Sequence, residues 1–155
     1  MYVDVVKKLI DKNLSISTVE SITGGLISKQ ITDVPGSSSI LSESFVLYSN
    51  NSKISILGVD AGIIEKYGVV SKEVAKDMVV KLKMFTGTDI CISTTGNAGP
   101  DVCDDKPVGR VYVGINYLDE VSVYELNIDG GRDNVRNKTA ELIFKKIDEL
   151  VKWWF

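Results

Sequence analysis

Ser21 lies between a short extended segment and a glycine-rich turn, in the stretch TVESITGG that spans residues 18–25. A serine at a turn from a strand into a helix is a common position for a nucleophile. The alternative is an N-cap, because a serine before a helix accepts hydrogen bonds from free backbone N–H groups. Thr23 could cap the helix equally well. Gly24 and Gly25 would let a substrate approach the backbone closely.

The chain contains no histidine, so a nucleophilic Ser21 needs another proton acceptor. Tyr48 and Lys53 lie in YSNNSK, residues 48–53, at the predicted junction of a strand and a short helix. A lysine removed from water beside a serine can act as a general base, and a tyrosine alongside can orient or relay the proton. The alternative is a solvated surface lysine, because most lysines are exposed.

Two further segments suit an anion or a developing oxyanion. In STTGNAGPD, residues 93–101, a predicted strand ends in a tight loop whose exposed backbone N–H groups could bind an anion. The alternative is an ordinary sharp loop with no binding role. Arg132 and Arg136 are four residues apart at the start of the last predicted helix, so they share a face and could hold a phosphate. The alternative is a solvated face on which Asp133 is the ion-pair partner.

The apolar pattern predicts helices that interleave with strands. Helices are predicted over residues 2–12, 23–32, 51–58, 60–67 and 71–85 and from about residue 131, and strands over 15–20, 43–50, 89–96, 109–118 and 120–129. The buried stripe of the 71–85 helix is expected to end at Phe85, with Ser71 as N-cap. The stripe of the last helix is expected to comprise Val135, Leu142, Ile143, Ile147, Leu150, Val151 and Trp154. This order predicts a three-layer α/β/α sandwich with a mixed β-sheet.

Composition restricts the class of protein. The 155 residues are 44% hydrophobic, which predicts one domain over residues 1–155. A net charge of −3 argues against bulk binding to nucleic acid or to an anionic membrane, and no run reaches the roughly 18 apolar residues of a membrane span. Without histidine, and with Cys91 and Cys103 as the two cysteines, we expect no metal, no cofactor and a reduced, cytoplasmic chain.

Eight segments carry a resemblance to a known family. In chain order they are ESITGG, ITDVPGSS, VLYSNNSK, LGV, YGVVS, TGNAGPD, KPVGRVYVG and GGRDNVRNKTA. With them, the chain resembles the CinA C-terminal domain family from about residue 2 to about residue 150. The stand-alone bacterial members of that family are nicotinamide mononucleotide deamidases. The resemblance also implies a compact α/β sandwich.

The resemblance implies a reaction and a site. The reaction is hydrolysis of the carboxamide of nicotinamide mononucleotide to nicotinate mononucleotide and ammonia. It implies Ser21 as the active serine, Lys53 as the base and Tyr48 as a participant. The resemblance and the motifs described above together indicate the residues that line a small nucleotide substrate. They are Thr23, Gly24, Gly25, Thr95, Gly96, Gly99, Arg132 and Arg136. For the oxyanion we expect backbone N–H groups near Gly24–Gly25 or in the 95–99 loop.

The chain departs from the family at two places. Ile22 replaces a cysteine, which concerns packing, and Val102 and Cys103 replace two glycines, which changes the backbone shapes open to that loop. Two alternative functions therefore remain open besides the deamidase activity. One is a non-catalytic pyridine-nucleotide-binding or regulatory module, and the other is an amidohydrolase for another small amide. The terminal residues 153–155, Trp-Trp-Phe, are expected to pack on this domain or on a second copy in a homo-oligomer.

Overall fold

Five strands form one mixed sheet. The computed structural model describes residues 1–101 and 104–152. The strands are β1 (Ile16–Glu20), β2 (Leu41–Val46), β3 (Ile90–Gly96), β4 (Arg110–Tyr117) and β5 (Glu120–Asn127), in the spatial order β2-β1-β3-β4-β5. Strand β1 runs parallel to both β2 and β3, whereas β3, β4 and β5 are antiparallel neighbours. The carboxyl ends of β2, β1 and β3 therefore meet at one edge of the sheet, where ligands bind in open α/β folds.

The helices follow the predicted order. They are α1 (Tyr2–Asp11), α2 (Leu26–Thr32), α3 (Asn50–Ser52), α4 (Ala61–Tyr67), α5 (Lys72–Thr86) and α6 (Gly131–Lys152). A π-helical segment, Lys53–Leu57, continues α3 directly and ends at Gly58, whose φ is 83°. Ser71 caps α5, as predicted, by accepting a hydrogen bond from the Val74 N–H.

Two helical layers cover the sheet. Helices α1, α2 and α6 pack on one face around residues that include Leu9, Ile27 and Phe144. Helix α5 packs on the other face, where Met78 and Leu82 meet Val19 of β1. The predicted three-layer α/β/α arrangement with a mixed sheet is therefore confirmed. Within the described residues, every helix is too short or too polar to cross a bilayer.

Several predicted boundaries were wrong. Strand β2 ends at Val46, so Tyr48 lies beyond it, and Ser49 starts α3 by accepting a hydrogen bond from the Ser52 N–H at 3.0 Å. Helix α2 begins at residue 26 because Gly24 and Gly25 have φ values of 62° and 102° and form a turn. Positive φ is readily adopted by glycine and interrupts a right-handed helix.

Phe85 and α6 differ from the predicted apolar stripes. Phe85 is 63% exposed and lies edge-on to Phe45 of the edge strand β2. In α6, Leu142 and Leu150 are half-buried, and Phe144, which the prediction omitted, is fully buried. Trp154 and Cys103 lie outside the described residues.

Candidate active site

Ser21 directly follows β1, and its backbone is held on both sides. Its N–H donates to the Thr94 carbonyl at 3.1 Å, and its carbonyl accepts the Gly24 N–H at 3.1 Å. Side chains alternate along a strand, so Ser17, Val19 and Ser21 point to the α5 side of the sheet. Ser21 is 8% exposed, which leaves its hydroxyl accessible from one direction.

Lys53 lies against Ser21 inside the protein. It is the first residue of the π-helical segment and is only 1% exposed. Its Nζ is 3.0 Å from Ser21 Oγ and 3.1 Å from the Tyr48 carbonyl oxygen. Lysine is almost never fully buried without a specific partner. The 3.0 Å contact is short enough for direct proton transfer between the hydroxyl and a neutral amine.

Tyr48 contacts Lys53 through its backbone rather than through its ring. The ring is exposed, and its hydroxyl accepts a hydrogen bond from Arg132 Nη2 at 3.2 Å. Arg132 also donates to the Gly99 carbonyl. This bridge from Tyr48 through Arg132 to Gly99, which we call the clasp, joins the segment after β2 to the loop after β3. The participation of Tyr48 in proton transfer stays a prediction.

A cavity of about 230 Å³ opens beside the Ser21–Lys53 pair. Its lining comprises Ser21, Ile22, Tyr48, Asn50, Lys53, Val69, Thr95, Gly96, Asn97, Ala98 and Arg132. Most of the lining comes from the carboxyl ends of β1, β2 and β3 and the segments that follow them, as expected for three parallel strands whose carboxyl ends coincide, and Val69 and Arg132 complete it. We call this the serine cavity.

Thr95 and Gly96 shape one wall of the serine cavity. The Thr95 hydroxyl donates to the Val69 carbonyl at 2.8 Å, so it positions Val69 rather than facing the cavity as a free donor. Asp104 holds the same residue from the other side by accepting the Val69 N–H at 2.8 Å. A Cβ on Gly96 would lie 2.9 Å from the Arg110 carbonyl oxygen, so a side chain at this position would displace strand β4.

The loop over residues 95–99 offers fewer backbone donors than predicted. The Asn97 N–H donates to the Arg110 carbonyl at 2.9 Å, and the Gly99 N–H donates to Asn97 Oδ1 at 3.0 Å. Among the described residues, the N–H of Ala98 has no acceptor, and Ala98 lines the serine cavity. Gly99 contributes its carbonyl to the clasp.

A second cavity of about 370 Å³ is lined in part by residues next in the chain to those of the serine cavity, with Thr23 after Ile22 and Asp133 after Arg132. Its lining comprises Thr23, Gly24, Gly25, Leu26, Lys29, Asp133, Arg136 and Asn137. We call it the arginine cavity. The four-residue spacing predicted that Arg132 and Arg136 act together, but each of them lines a different cavity. The Gly24 N–H is occupied by the Ser21 carbonyl, so it does not serve the serine cavity.

The charge of the arginine cavity is positive on one side. Arg136 Nε is buried and has no hydrogen-bond partner among the described residues, and Nη1 lies 3.8 Å from Asp133. A hydrogen bond to Asp33 raises the pKa of Lys29 above its ordinary value, so Lys29 stays cationic. An anion entering here would meet two cations, with Asp133 as a competing partner of Arg136.

The sequence prediction missed three residues that build this region. Glu20, Thr94 and Asn97 are all buried and hydrogen-bonded around Ser21 or the 95–99 loop. The sequence could have indicated Glu20, because a charged residue at the end of an apolar strand requires compensating partners. Residues 1–101 and 104–152 contain no cluster of three acidic or cysteine side chains that could bind a metal.

Comparisons with known proteins agree on one family. The family model described as the CinA C-terminal domain matches residues 1–151. A protein of Acetivibrio thermocellus named competence-damage inducible is 44% identical over 146 residues, which are 94% of this chain and 35% of that protein. A CinA-like protein of Fusobacterium nucleatum is 48% identical over 129 residues, or 83% of this chain and 31% of that protein. The chain thus spans about a third of the length of these relatives.

Solved structures share the fold. The CinA superfamily protein of Klebsiella pneumoniae superposes with a TM-score of 0.94 at 23% identity and covers 99% of this chain and 96% of that one. The competence/damage inducible protein of Agrobacterium tumefaciens gives a TM-score of 0.86 at 29% identity, with 97% and 94% covered.

Proposed function

This chain belongs to the CinA C-terminal domain family, and from that premise we propose that it is a serine amidohydrolase acting on nicotinamide mononucleotide. The products are nicotinate mononucleotide and ammonia. One observation carries the proposal: Ser21 Oγ and Lys53 Nζ lie 3.0 Å apart, and both residues are buried, in a chain without histidine. Serine–lysine pairs are a known variant of the serine–histidine arrangement.

The first step is deprotonation of Ser21 by the neutral amine of Lys53. Burial disfavours the ammonium form of a lysine, so a fully enclosed amine can exist without its extra proton. The Tyr48 carbonyl accepts one N–H of Lys53 at 3.1 Å, and Ser21 Oγ lies 3.0 Å from the same amine nitrogen. In this proposal Tyr48 acts through its backbone, and its ring supports the clasp at the mouth of the cavity.

The second step is attack of Ser21 Oγ on the carboxamide carbon. The C=O double bond opens to an oxyanion. Ile22 and Ala98 line the serine cavity, and in this proposal their backbone N–H groups donate to the oxyanion. Neither has an acceptor among the described residues. Preorganised donors of this kind lower the barrier because they need no reorganisation as charge develops.

The remaining steps return the enzyme to its starting state. The tetrahedral intermediate collapses, the C–N bond breaks, and the leaving nitrogen takes the proton from the Lys53 ammonium to depart as ammonia. Water then attacks the acyl-enzyme, giving its proton to Lys53, which passes it to Ser21 Oγ as the ester bond breaks. The net reaction consumes one water and releases one ammonia.

The arginine cavity is the proposed position of the 5′-phosphate. Its lining is next in the chain to that of the serine cavity, where Thr23 follows Ile22 in the turn and where Asp133 follows Arg132 in α6. Arg136 and Lys29 supply positive charge there, whereas the guanidinium of Arg132 is already occupied by the clasp. We therefore assign the phosphate to Arg136 and the closure of the serine cavity to Arg132.

The test is ammonia release from nicotinamide mononucleotide by the wild type, Ser21→Ala and Ser17→Ala. Ser17 is the matched control because it is also buried and points to the same face of the sheet, but lies near the start of β1, whereas Ser21 follows its end. We expect release by the wild type and by Ser17→Ala and none by Ser21→Ala. Turnover by folded Ser21→Ala would exclude Ser21 as the nucleophile.

The rival functions give different outcomes in the same assay. Calorimetric binding of nicotinamide mononucleotide without ammonia release would identify a non-catalytic or regulatory module. Ammonia release from another small amide, but not from nicotinamide mononucleotide, would identify an amidohydrolase of different specificity.

A further inference from the structure

Three buried polar side chains connect the backbone of Ser21 to helix α2. The Ser21 N–H lies 3.2 Å from Thr94 Oγ1, Thr94 Oγ1 lies 2.9 Å from Thr23 Oγ1, and Thr23 Oγ1 lies 2.7 Å from Glu20 Oε1. Thr23, Thr94 and Glu20 are each at most 2% exposed. Buried polar groups in such a chain exchange hydrogen bonds with one another rather than with water.

The direction of every hydrogen bond in this chain is determined. Glu20 is surrounded by donors, so the carboxylate form, which only accepts, fits its site. Thr23 has a single hydroxyl hydrogen, and it points to Glu20. Thr94 must therefore donate its own hydroxyl hydrogen to Thr23. The oxygen of Thr94 is then left as a second acceptor for the Ser21 N–H, which also donates to the Thr94 carbonyl at 3.1 Å.

Glu20 also fixes the other end of the turn. Its Oε1 accepts the Ile27 N–H at 2.9 Å and its Oε2 accepts the Ser28 N–H at 3.0 Å, both in the first turn of α2. The same carboxylate thus binds the helix that leaves the turn and, through two threonines, the backbone that enters it. Rotation of the turn would break several buried hydrogen bonds together.

We propose that Glu20, Thr23 and Thr94 are positioning residues for Ser21, and that this directed chain holds Ser21 Oγ at its 3.0 Å distance from Lys53. The proposal rests on the proposed function in taking Ser21 as the nucleophile. A displacement of about 1 Å in a reacting group costs roughly a hundredfold in rate. Thr94 lines neither the serine cavity nor the arginine cavity, so the loss of its hydroxyl should affect kcat rather than substrate affinity.

The test compares Thr94→Val and Thr94→Ser with Thr88→Val. Valine keeps the shape of threonine but removes the hydroxyl, and serine restores it. Thr88 is the matched control because it is buried and hydrogen-bonded beside the start of β3, at the opposite end from Thr94. For ammonia release we expect Thr94→Val to lower kcat about ten- to a hundredfold with KM within about twofold. Thr94→Ser and Thr88→Val should stay close to the wild type.

A second measurement tests the positioning proposal independently of the proposed reaction. Amide hydrogen exchange of the Ser21 N–H, followed by NMR, reports the chain whether or not ammonia is released. The Thr94 carbonyl still accepts the Ser21 N–H in every variant, so we expect faster exchange in Thr94→Val, from the loss of the second acceptor, and unchanged exchange in Thr94→Ser and Thr88→Val. Unchanged exchange in Thr94→Val would overturn the proposal. An equal loss of kcat in Thr88→Val would overturn it as well, because the effect would then be general destabilisation.

Discussion

Replacing Lys53 with methionine separates catalysis from stability in this protein. Methionine retains most of the length of the apolar stem, so the buried space stays filled, and only the amine is removed. Ser21 Oγ then loses its neighbour at 3.0 Å, and the Tyr48 carbonyl loses a donor at 3.1 Å. The proton acceptor disappears, while the core that surrounds residue 53 keeps its apolar contacts.

The two expected magnitudes point in different directions. A general base contributes about 10²- to 10⁴-fold to a rate, so kcat should fall by that factor. The loss of the hydrogen bonds that Lys53 forms with Ser21 Oγ and the Tyr48 carbonyl costs roughly 2 kcal/mol of unfolding free energy. Removal of a buried amine relieves a desolvation cost of similar or larger size. We therefore expect the free energy of unfolding of Lys53→Met to equal or exceed that of the wild type.

Two assays decide the outcome. Steady-state ammonia release gives kcat, and thermal unfolding gives Tm, where 1 kcal/mol corresponds to about 2–4 °C for a chain of this length. Lys81→Met is the control, because Lys81 forms a half-exposed ion pair with Asp77 on α5. A kcat within about tenfold of the wild type would refute Lys53 as the base. A Tm lowered by more than about 8 °C would refute the expectation that the relieved desolvation cost of the amine offsets the lost hydrogen bonds.

Two further predictions concern charged residues of α6. Arg136→Met should raise KM for nicotinamide mononucleotide about tenfold, from the loss of a charge-assisted hydrogen bond, and leave KM for the riboside without phosphate unchanged. An equal rise for both substrates would place the phosphate elsewhere. The hydrogen bond from Lys8 holds the pKa of Asp148 below its ordinary value of 3.8, so its stabilisation is present above that pH and is lost in stronger acid. Urea unfolding of Asp148→Asn should therefore show a loss of up to about 1 kcal/mol at pH 7 that vanishes near pH 2, and a loss of equal size at both pH values would contradict this origin.

The layers of the fold were predictable because they depend on local patterns. Ser71 is followed by apolar residues at helical spacing, and the alternation in residues 109–129 identifies the hairpin regardless of the rest of the chain. The predicted burial of Phe85 was wrong because periodicity specifies a helical face but not which residues of that face other elements cover. The predicted end of β2 was wrong because the extended pattern continues to Asn50, whereas Ser49 already caps helix α3.

The site was predictable in its residue types and less so in its geometry. The absence of histidine made Lys53 the natural partner of Ser21, although 32 residues separate them. No local pattern could show that the ring of Tyr48 faces Arg132 while its carbonyl faces Lys53. The separation of Arg132 and Arg136 into two cavities likewise depends on the loops packed against α6. Such details depend on tertiary contacts.

The π-helical segment that begins at Lys53 has an evolutionary consequence. Such a segment contains one residue more than the α-helix that would span the same rise, so its length sets the rotation of both ends. Inserting one residue within Lys53–Leu57 would turn Lys53 about 100° relative to Leu57, and one of these two buried side chains would face water. Deleting one residue would leave an α-helical turn that keeps their relative rotation, and substitution of the exposed Ile56 also leaves that rotation intact. Lineages that retain the proposed reaction should therefore accumulate substitutions in this segment but no insertions.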